Sequence, residues 1–175
     1  MIIHPAQGDA HHVRGTTATI KLAGADTNGR VAVVHHAVPR DAGPPPHAHE
    51  QEDELLYVID GTFEFILGDP DVWHPATAGT VAYVPAGTRH TSRATSDGHL
   101  LSIYTPAGGE CFFRDIDTID QTDMNAVLAL AAHHGMTFPA PRQPDPNQPP
   151  TTTETSRGDP KRAHTASGRA SARFD

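Results

Sequence analysis

Three histidines and one glutamate have the spacing expected of ligands to a single metal ion. His47 and His49 are two residues apart, so on an extended segment both side chains lie on the same face. Glu54 follows close behind, and His90 comes just after a Pro-Ala-Gly turn sequence at 85–87. Three imidazoles and one carboxylate are typical ligands of a divalent transition metal such as Fe, Ni, Mn, Cu or Zn. Four protein ligands leave two positions of an octahedral shell open, which is typical of a catalytic site.

The composition limits the other kinds of site that the chain can build. It has 175 residues, 13 of them histidine, and the single cysteine, Cys111, excludes an internal disulfide or a cysteine-based zinc site. A formal net charge of −8 argues against nucleic acid as a main partner. His49-Glu50 does not begin a zincin motif, because Asp53 stands where that motif needs its second histidine.

Short strands must position these residues. Segments rich in Val, Ile, Thr, Tyr and Phe, separated by Gly, Pro and Asp, predict strands at 17–22, 30–38, 55–59, 62–67, 80–84, 89–95 and 100–105. Asp60-Gly61 indicates a tight hairpin between two of them. No helical pattern interrupts the series, so we predict an all-β sandwich or barrel. Within 62–67, alternation predicts that Phe63, Phe65 and Leu67 face inward.

One helix is predicted after the strands, at about 122–134. Its apolar residues at helical spacing are Met124, Val127, Leu128 and Ala131. Thr122 is a suitable N-cap and Gly135 a suitable stop. We expect this helix to pack on the outside of the sheets.

The composition changes after residue 138. Residues 139–175 contain seven prolines and one large apolar residue, so they are expected to be a disordered tail. Residues 1–138 carry a net charge of −10 and the tail carries +2. The prediction is therefore one folded domain at 1–138.

Two segments around the candidate ligands resemble the conserved motifs of the cupin superfamily. Residues 47–61 resemble the first motif, G-x5-H-x-H-x3,4-E-x6-G, and residues 79–94 resemble the second, G-x5-P-x-G-x2-H-x3-N. The two departures are Asp41, at the position of the first glycine, and Ala94, at the position of the final asparagine. The resemblance covers roughly residues 15–110. It implies a double-stranded β-helix, a jelly-roll barrel with a metal inside.

The resemblance also implies roles for individual residues. It assigns the metal-ligand role to His47, His49, Glu54 and His90. Single-domain cupins of this kind resemble quercetin 2,3-dioxygenase-like proteins, which implies a dioxygenase acting on an enol- or hydroxyl-bearing organic molecule, flavonol- or polyketide-like. Glu54 would then also accept the substrate proton, and desolvation is expected to raise its basicity.

Two other functions remain open at this point. A Lewis-acid metal at the same site could drive a cyclisation, isomerisation or dehydration of a polyketide- or sugar-like substrate without redox chemistry. Alternatively, the barrel binds a small molecule without catalysis. The expected partners are a small organic substrate, O2 for a dioxygenase, and a second copy of the chain, paired through the early strand 17–22.

Membrane insertion and export are not expected. The first residues have no basic segment followed by a long apolar one, and the longest apolar run, 126–132, is too short to span a bilayer. A cytoplasmic location is therefore expected.

Several other polar and aromatic residues have two possible roles. His35 and His36 lie on a strand that should border the cavity, and alternation sends one of them inward. That histidine is either a buried structural residue or a general base. Trp73, Tyr83 and Tyr104 are expected to pack in the core or at the rim.

Overall fold

Antiparallel strands dominate the computed structural model, which describes residues 1–68 and 72–138. The strands are β1 (Asp9–Val13), β2 (Thr16–Leu22), β3 (Ala32–Val38), β4 (Ala48–His49), β5 (Asp53–Asp60), β6 (Thr62–Leu67), β7 (His74–Thr77), β8 (Val81–Val84), β9 (His90–Ala94), β10 (Gly98–Thr105) and β11 (Met136–Thr137). The helices are α1 (Gly24–Thr27), α2 (Glu110–Ile116) and α3 (Met124–His133). Each of the seven predicted strands is present within two residues of its predicted ends.

The strands form a larger and a smaller sheet with a short two-stranded ribbon. The larger sheet has the order β1-β2-β3-β10-β5-β8, the smaller sheet β7-β6-β9, and the ribbon joins β11 to β4. Every pair is antiparallel. The predicted all-β jelly-roll barrel is confirmed.

The barrel interior follows from the alternation of side chains along each strand. Residues of β3 and β10 alternate between buried and partly exposed along their length, as a strand with one face toward a core requires. Phe63 and Phe65 lie in the main core cluster, with 1% and 2% of their surface exposed, and Leu67 packs against it. Ile66, which alternation places on the opposite face of β6, is also buried.

The turn between β5 and β6 needs a glycine. Gly61 has φ +76°, a backbone region that residues with a side chain rarely adopt. A Cβ atom on Gly61 would lie 2.6 Å from the carbonyl oxygen of Asp97. The predicted turn at Asp60-Gly61 is present, but the predicted hairpin is wrong, because β5 lies in the larger sheet and β6 in the smaller one.

The two departures from the cupin motifs lie next to each other. The backbone N–H of Asp41 donates to the carbonyl of Ala94, and the N–H of Ala94 donates to the carbonyl of Ala42. Asp41 has φ +66°, which explains why a glycine is usual there and why an aspartate, which tolerates the left-handed region, can replace it. Ala94 is 1% exposed and fits a small space in the core.

The helices differ from the sequence prediction in the cap of α3 and in the presence of two short helices, α1 and α2, that were not predicted. Asp123, not Thr122, caps α3, and its side chain accepts hydrogen bonds from the backbone N–H groups of Asn125 and Ala126. The seven-residue helix α2 was not predicted, because a segment of two turns is too short to establish a helical period.

The early strand is not available for pairing with a second copy of the chain. β2 lies between β1 and β3 and hydrogen-bonds to both of them. The prediction that 17–22 is an edge strand is therefore wrong, because residues 9–13 form a further strand that the sequence pattern did not indicate. Within the described residues, β1 and β8 end the larger sheet.

The tail 139–175 lies outside the described residues, so its disorder and the domain boundary at 138 stay predictions.

Among residues 1–68 and 72–138, no helix has the length and apolar character needed to cross a membrane.

The backbone at residue 41 gives a stability test. Because Asp41 is in the left-handed region and its side chain is 87% exposed, we expect Asp41→Gly to raise the free energy of unfolding by about 0.5–1 kcal/mol. Asp41→Ala, which keeps a Cβ and loses the polar group that tolerates this conformation, should lower it. Urea unfolding measures both changes, and a less stable Asp41→Gly protein would contradict the backbone assignment.

Candidate metal centre

The four predicted ligands converge at one end of the barrel. His47 precedes β4, His49 lies in β4, Glu54 in β5, and His90 begins β9. One candidate ligand atom from each residue lies within 4.8 Å of the others. His49, Glu54 and His90 are buried, with 2–4% of their surface exposed. Residues from three separate strands therefore form one cluster that is able to bind a metal ion.

Backbone hydrogen bonds fix the two outer histidines. His47 and His90 exchange N–H···O=C bonds of 2.9 and 2.8 Å, which tie the segment before β4 to β9. The Nδ1 atom of His47 lies 3.0 Å from the carbonyl of Pro45, and that of His90 lies 2.9 Å from the carbonyl of Thr88. A carbonyl only accepts, so Nδ1 carries the proton in each ring. The Nε2 lone pairs are left to face the cluster, as in metal-binding histidines.

The donor set fits a cation. Both ring nitrogens of His49 are buried without a hydrogen-bond partner among the described residues, and such orphaned polar atoms are costly. His90 Nε2 and Glu54 Oε2 are 2.9 Å apart, and His49 Nε2 is 3.6 Å from the same oxygen. These atoms all carry lone pairs, so a proton or a metal ion between them is needed to offset their repulsion.

The surroundings keep Glu54 ionised. Burial by itself would raise the pKa of Glu54, but a hydrogen bond from His90 and the positive potential of all three histidines hold that pKa well below its usual range. The expectation that desolvation makes Glu54 more basic is therefore wrong for this site. Desolvation is the largest single influence on the pKa of Glu54 and raises it, but the neighbouring imidazoles together lower this pKa by more.

The three histidines differ in their affinity for protons. Burial, with repulsion from His90 and His49, lowers the pKa of His47 to about 3. Burial also lowers the pKa of His49, although Glu54 partly opposes this effect. Burial acts in the same direction on His90, but its hydrogen bond to Glu54 outweighs burial and raises its pKa. His90 is therefore the one histidine of the cluster whose pKa is raised.

Tyr104 contacts the cluster. In the register between β10 and β5 it lies opposite Glu54. Burial and the adjacent negative charge of Glu54 raise the pKa of Tyr104 well above its usual value. Its ring packs edge-on against His49 with centroids 5.4 Å apart. Tyr104 is thus a neutral residue beside the cluster, which could be placed there only once the strand register was known.

The other two aromatic residues lie away from the cluster. The hydroxyl of Tyr83 donates to Asp53 Oδ2 at 2.7 Å, and more than half of the Tyr83 surface is exposed. The guanidinium carbon of Arg93 lies 4.2 Å from the ring centroid of Trp73. The expectation that these two aromatics pack at the rim is consistent with these positions.

A largely apolar cavity of about 180 Å³ opens onto the cluster. Helix α2 contributes Phe112 and Phe113 to its lining, and α3 contributes Val127 and Leu128. The later helix, predicted to pack on the outside of the sheets, packs mainly against α2 and β11 and also lines the cavity.

The segment after α3 holds the ligand-bearing strand β4 in place. Met136 of β11 pairs with His49 of β4. The N–H of Glu50 donates to the carbonyl of Gly135 at 2.8 Å, and on the other side the N–H of Gly87 donates to the carbonyl of His49 at 2.6 Å. Strand β4 is only two residues long, so these neighbours fix its position.

The adjacent histidines of β3 face opposite ways, as alternation requires. His36 is buried and lines the cavity. His35 stacks against His99 on the other face of the sheet, with ring centroids 5.2 Å apart. The inward histidine is therefore His36.

Comparisons with known proteins agree with this architecture. Residues 34–104 match the family model described as "Cupin domain". No curated protein matches the chain. Among solved structures, KdgF from Halomonas sp. is 22% identical, with 63% of this chain and 99% of that chain covered and a TM-score of 0.56.

Two further solved structures are similar to the chain. The polyketide cyclase RemF from Streptomyces resistomycificus is 22% identical, covers 60% of this chain and 78% of its own, and has a TM-score of 0.53. A predicted oxalate decarboxylase from Thermotoga maritima is 18% identical, with 61% of this chain and 99% of that chain covered and a TM-score of 0.54. At these identities the likeness establishes the fold only. The narrower resemblance to quercetin 2,3-dioxygenase-like proteins stays a prediction.

Removing single ligands tests the metal assignment. We expect His47→Ala and His90→Ala each to abolish stoichiometric metal, because each removes one of the four donors that converge on the same point and leaves the metal shell incomplete. His99→Ala, on the outer face of the sheet, should keep the metal content of the unaltered protein. Elemental analysis after gel filtration measures this, and metal retained in both ligand variants would refute the assignment.

Proton release on metal binding tests the raised pKa of His90. A metal ligand must be unprotonated, and at pH 6 His90 lies below its pKa, which Glu54 raises from 6.5. Zn²⁺ binding should therefore release a proton from His90 at pH 6, and this release should fall as the pH rises through the pKa of His90. Calorimetry in buffers of different ionisation enthalpy counts the protons, and a release that does not fall with rising pH would contradict the raised pKa.

Proposed function

We propose that this chain, whose residues 34–104 match the cupin domain model, is a metal-dependent enzyme acting on an apolar organic molecule that carries an enol or hydroxyl oxygen. One observation supports this proposal above others. The cluster of His47, His49, Glu54 and His90 opens directly onto an apolar cavity that α2 and α3 close. Such a cavity favours an organic substrate over a small, strongly hydrated ion.

The proposed ligands of the metal are the four residues of the cluster. They suit one divalent transition metal, Fe, Ni, Mn, Cu or Zn. When bound, the metal supplies Lewis-acid stabilisation to a substrate oxygen and, if redox-active, electrons for reaction with O2. The carbonyls of Pro45 and Thr88 orient the rings of His47 and His90 for this role.

Glu54 is the proposed catalytic proton acceptor. It is the one carboxylate among the described residues that line the cavity. Its lowered pKa keeps it ionised and makes it a weak base, so it takes a proton only from a C–H or O–H group that the site has made acidic. Tyr104 lies opposite Glu54 in the register of β10 and β5 and is neutral beside the carboxylate. Phe112 and Phe113 make the adjoining cavity wall apolar, which strengthens electrostatic contacts there.

A reaction without redox chemistry is the first candidate. Proton removal next to a stabilised oxygen leads to isomerisation, cyclisation or dehydration. The structurally similar RemF is named as a polyketide cyclase, and an apolar cavity suits a polyketide-like molecule better than a sugar. A polyketide-like cyclase, isomerase or dehydratase is therefore the reaction that we place first.

Dioxygenase activity is the second candidate. It is the reaction implied by the resemblance to quercetin 2,3-dioxygenase-like proteins, and four protein ligands leave two octahedral positions for substrate and O2. Glu54 would accept the substrate proton in this reaction as well. The two candidates thus share the site and the first step and differ in their need for O2.

The proposed partners follow from the same site. The main partner is the small organic substrate, joined by O2 only in the second candidate. A homodimer and a cytoplasmic location stay predictions.

Anaerobic turnover separates the candidates. The metal-loaded protein is incubated with a panel of flavonols, hydroxynaphthoquinones and aromatic β-diketones, and substrate loss is followed by mass spectrometry with and without O2. The first candidate predicts equal turnover in both conditions, with a loss of about 10²-fold or more in Glu54→Gln. Turnover that stops without O2 would establish the dioxygenase instead. Tight binding with no turnover in either condition would identify a binding protein.

A further inference from the structure

His36 lines the cavity outside the set of proposed ligands. It lies on β3, where Leu100 of β10 and Ala18 of β2 are its cross-strand neighbours. The residue is 7% exposed. Its Nε2 atom is buried and has no hydrogen-bond partner among the described residues. The imidazole therefore lines the cavity and carries a buried polar atom that nothing in the described part of the chain satisfies.

The surroundings of His36 are apolar. The ring of Phe113 from α2 packs edge-on against its ring, with centroids 5.2 Å apart. Burial, partly opposed by Glu54 and reinforced by His35, lowers the pKa of His36 to about 4. The ring is thus neutral at ordinary pH, and a neutral imidazole offers one N–H donor and one acceptor.

The neighbouring histidines differ from His36, because each of their rings has a polar or stacking partner. His47 and His90 each have a backbone carbonyl as partner, and His35 stacks on His99. A buried polar atom without a partner destabilises the fold, and an apolar side chain of similar size would remove that cost. The imidazole of His36 therefore has no evident structural purpose, while its position on the cavity wall suits contact with a bound molecule.

We propose that His36 binds a second oxygen of the substrate, a hydroxyl or a carbonyl, separated by an apolar skeleton from the oxygen that faces the metal cluster. The inference rests on the proposed function only in that a small organic molecule occupies the cavity. It narrows the substrate class to molecules with two oxygens on an apolar frame. His36 then selects among apolar molecules by the position of their second oxygen.

Paired probes test this role. The Zn²⁺-loaded full chain is titrated by calorimetry with 1-naphthol, which has one oxygen, and with the dihydroxynaphthalene isomers, which place a second oxygen at different distances. The unaltered protein should bind at least one dihydroxy isomer about tenfold more tightly than 1-naphthol, as one added hydrogen bond allows. His36→Leu should abolish this preference, and His36→Gln should keep part of it.

Controls separate binding from folding and from the metal site. His35→Leu, one residue away on the opposite face, should keep the preference. The melting temperature of metal-free His36→Leu should rise by about 2–4 °C, since the unpaired atom is gone. Zinc stoichiometry, measured in each variant, shows whether the proposed metal site is intact independently of this result.

Two outcomes would overturn the role of His36. One is that the unaltered protein shows no preference for any dihydroxy isomer. The other is that the preference persists in His36→Leu, and a lower melting temperature in that variant would then assign a structural role. With zinc still bound, either outcome would reject the inference and leave the proposed function standing.

Discussion

The convergence of lone pairs inside an apolar barrel is the constraint on which the rest of the structure depends. Imidazole nitrogens from three histidines and an oxygen of Glu54 meet within 4.8 Å, and His49, Glu54 and His90 are buried. In such surroundings uncompensated charge and repulsion between acceptors are expensive. A single proton on His90 offsets only the repulsion between His90 Nε2 and Glu54 Oε2. A divalent cation would offset the repulsion among all four groups.

Much of the architecture serves to keep these four groups together. The backbone bonds between His47 and His90 join two strands, and β11 and the turn at Gly87 hold β4 from either side. Helices α2 and α3 cover the open end, which keeps the local dielectric low and strengthens the contacts among charged groups. The same covering creates the apolar cavity, so the stability of the cluster and the choice of substrate have one structural origin.

The sequence predicted the parts of this site that depend on local spacing. The i, i+2 histidines, the distance from Glu54 to Gly61 and the turn before His90 identify the cluster without knowledge of the fold. Alternation identified most of the strands and showed that one of His35 and His36 faces inward. Alternation could not show which of the two histidines faces inward, since that depends on which face of β3 packs toward the barrel interior.

Other features depend on tertiary structure and had no local signal. Tyr104 meets Glu54 only through the register of β10 and β5. The lowered pKa of Glu54 reflects three neighbours that approach it from other strands. Helix α3 is amphipathic in either location, so its pattern could not show that it also lines the cavity. Asp41 departs from the cupin motif yet keeps the backbone conformation that the motif glycine provides.

X-ray absorption spectroscopy of the metal-loaded full chain is the most direct test of metal binding by His47, His49, Glu54 and His90. We expect the metal to be coordinated by three imidazole nitrogens and one carboxylate oxygen, at about 2.0–2.2 Å for zinc, together with water. Multiple scattering from the imidazole rings identifies the histidines. Coordination by water and carboxylate alone, or by a single imidazole, would contradict the assignment of these four residues as ligands.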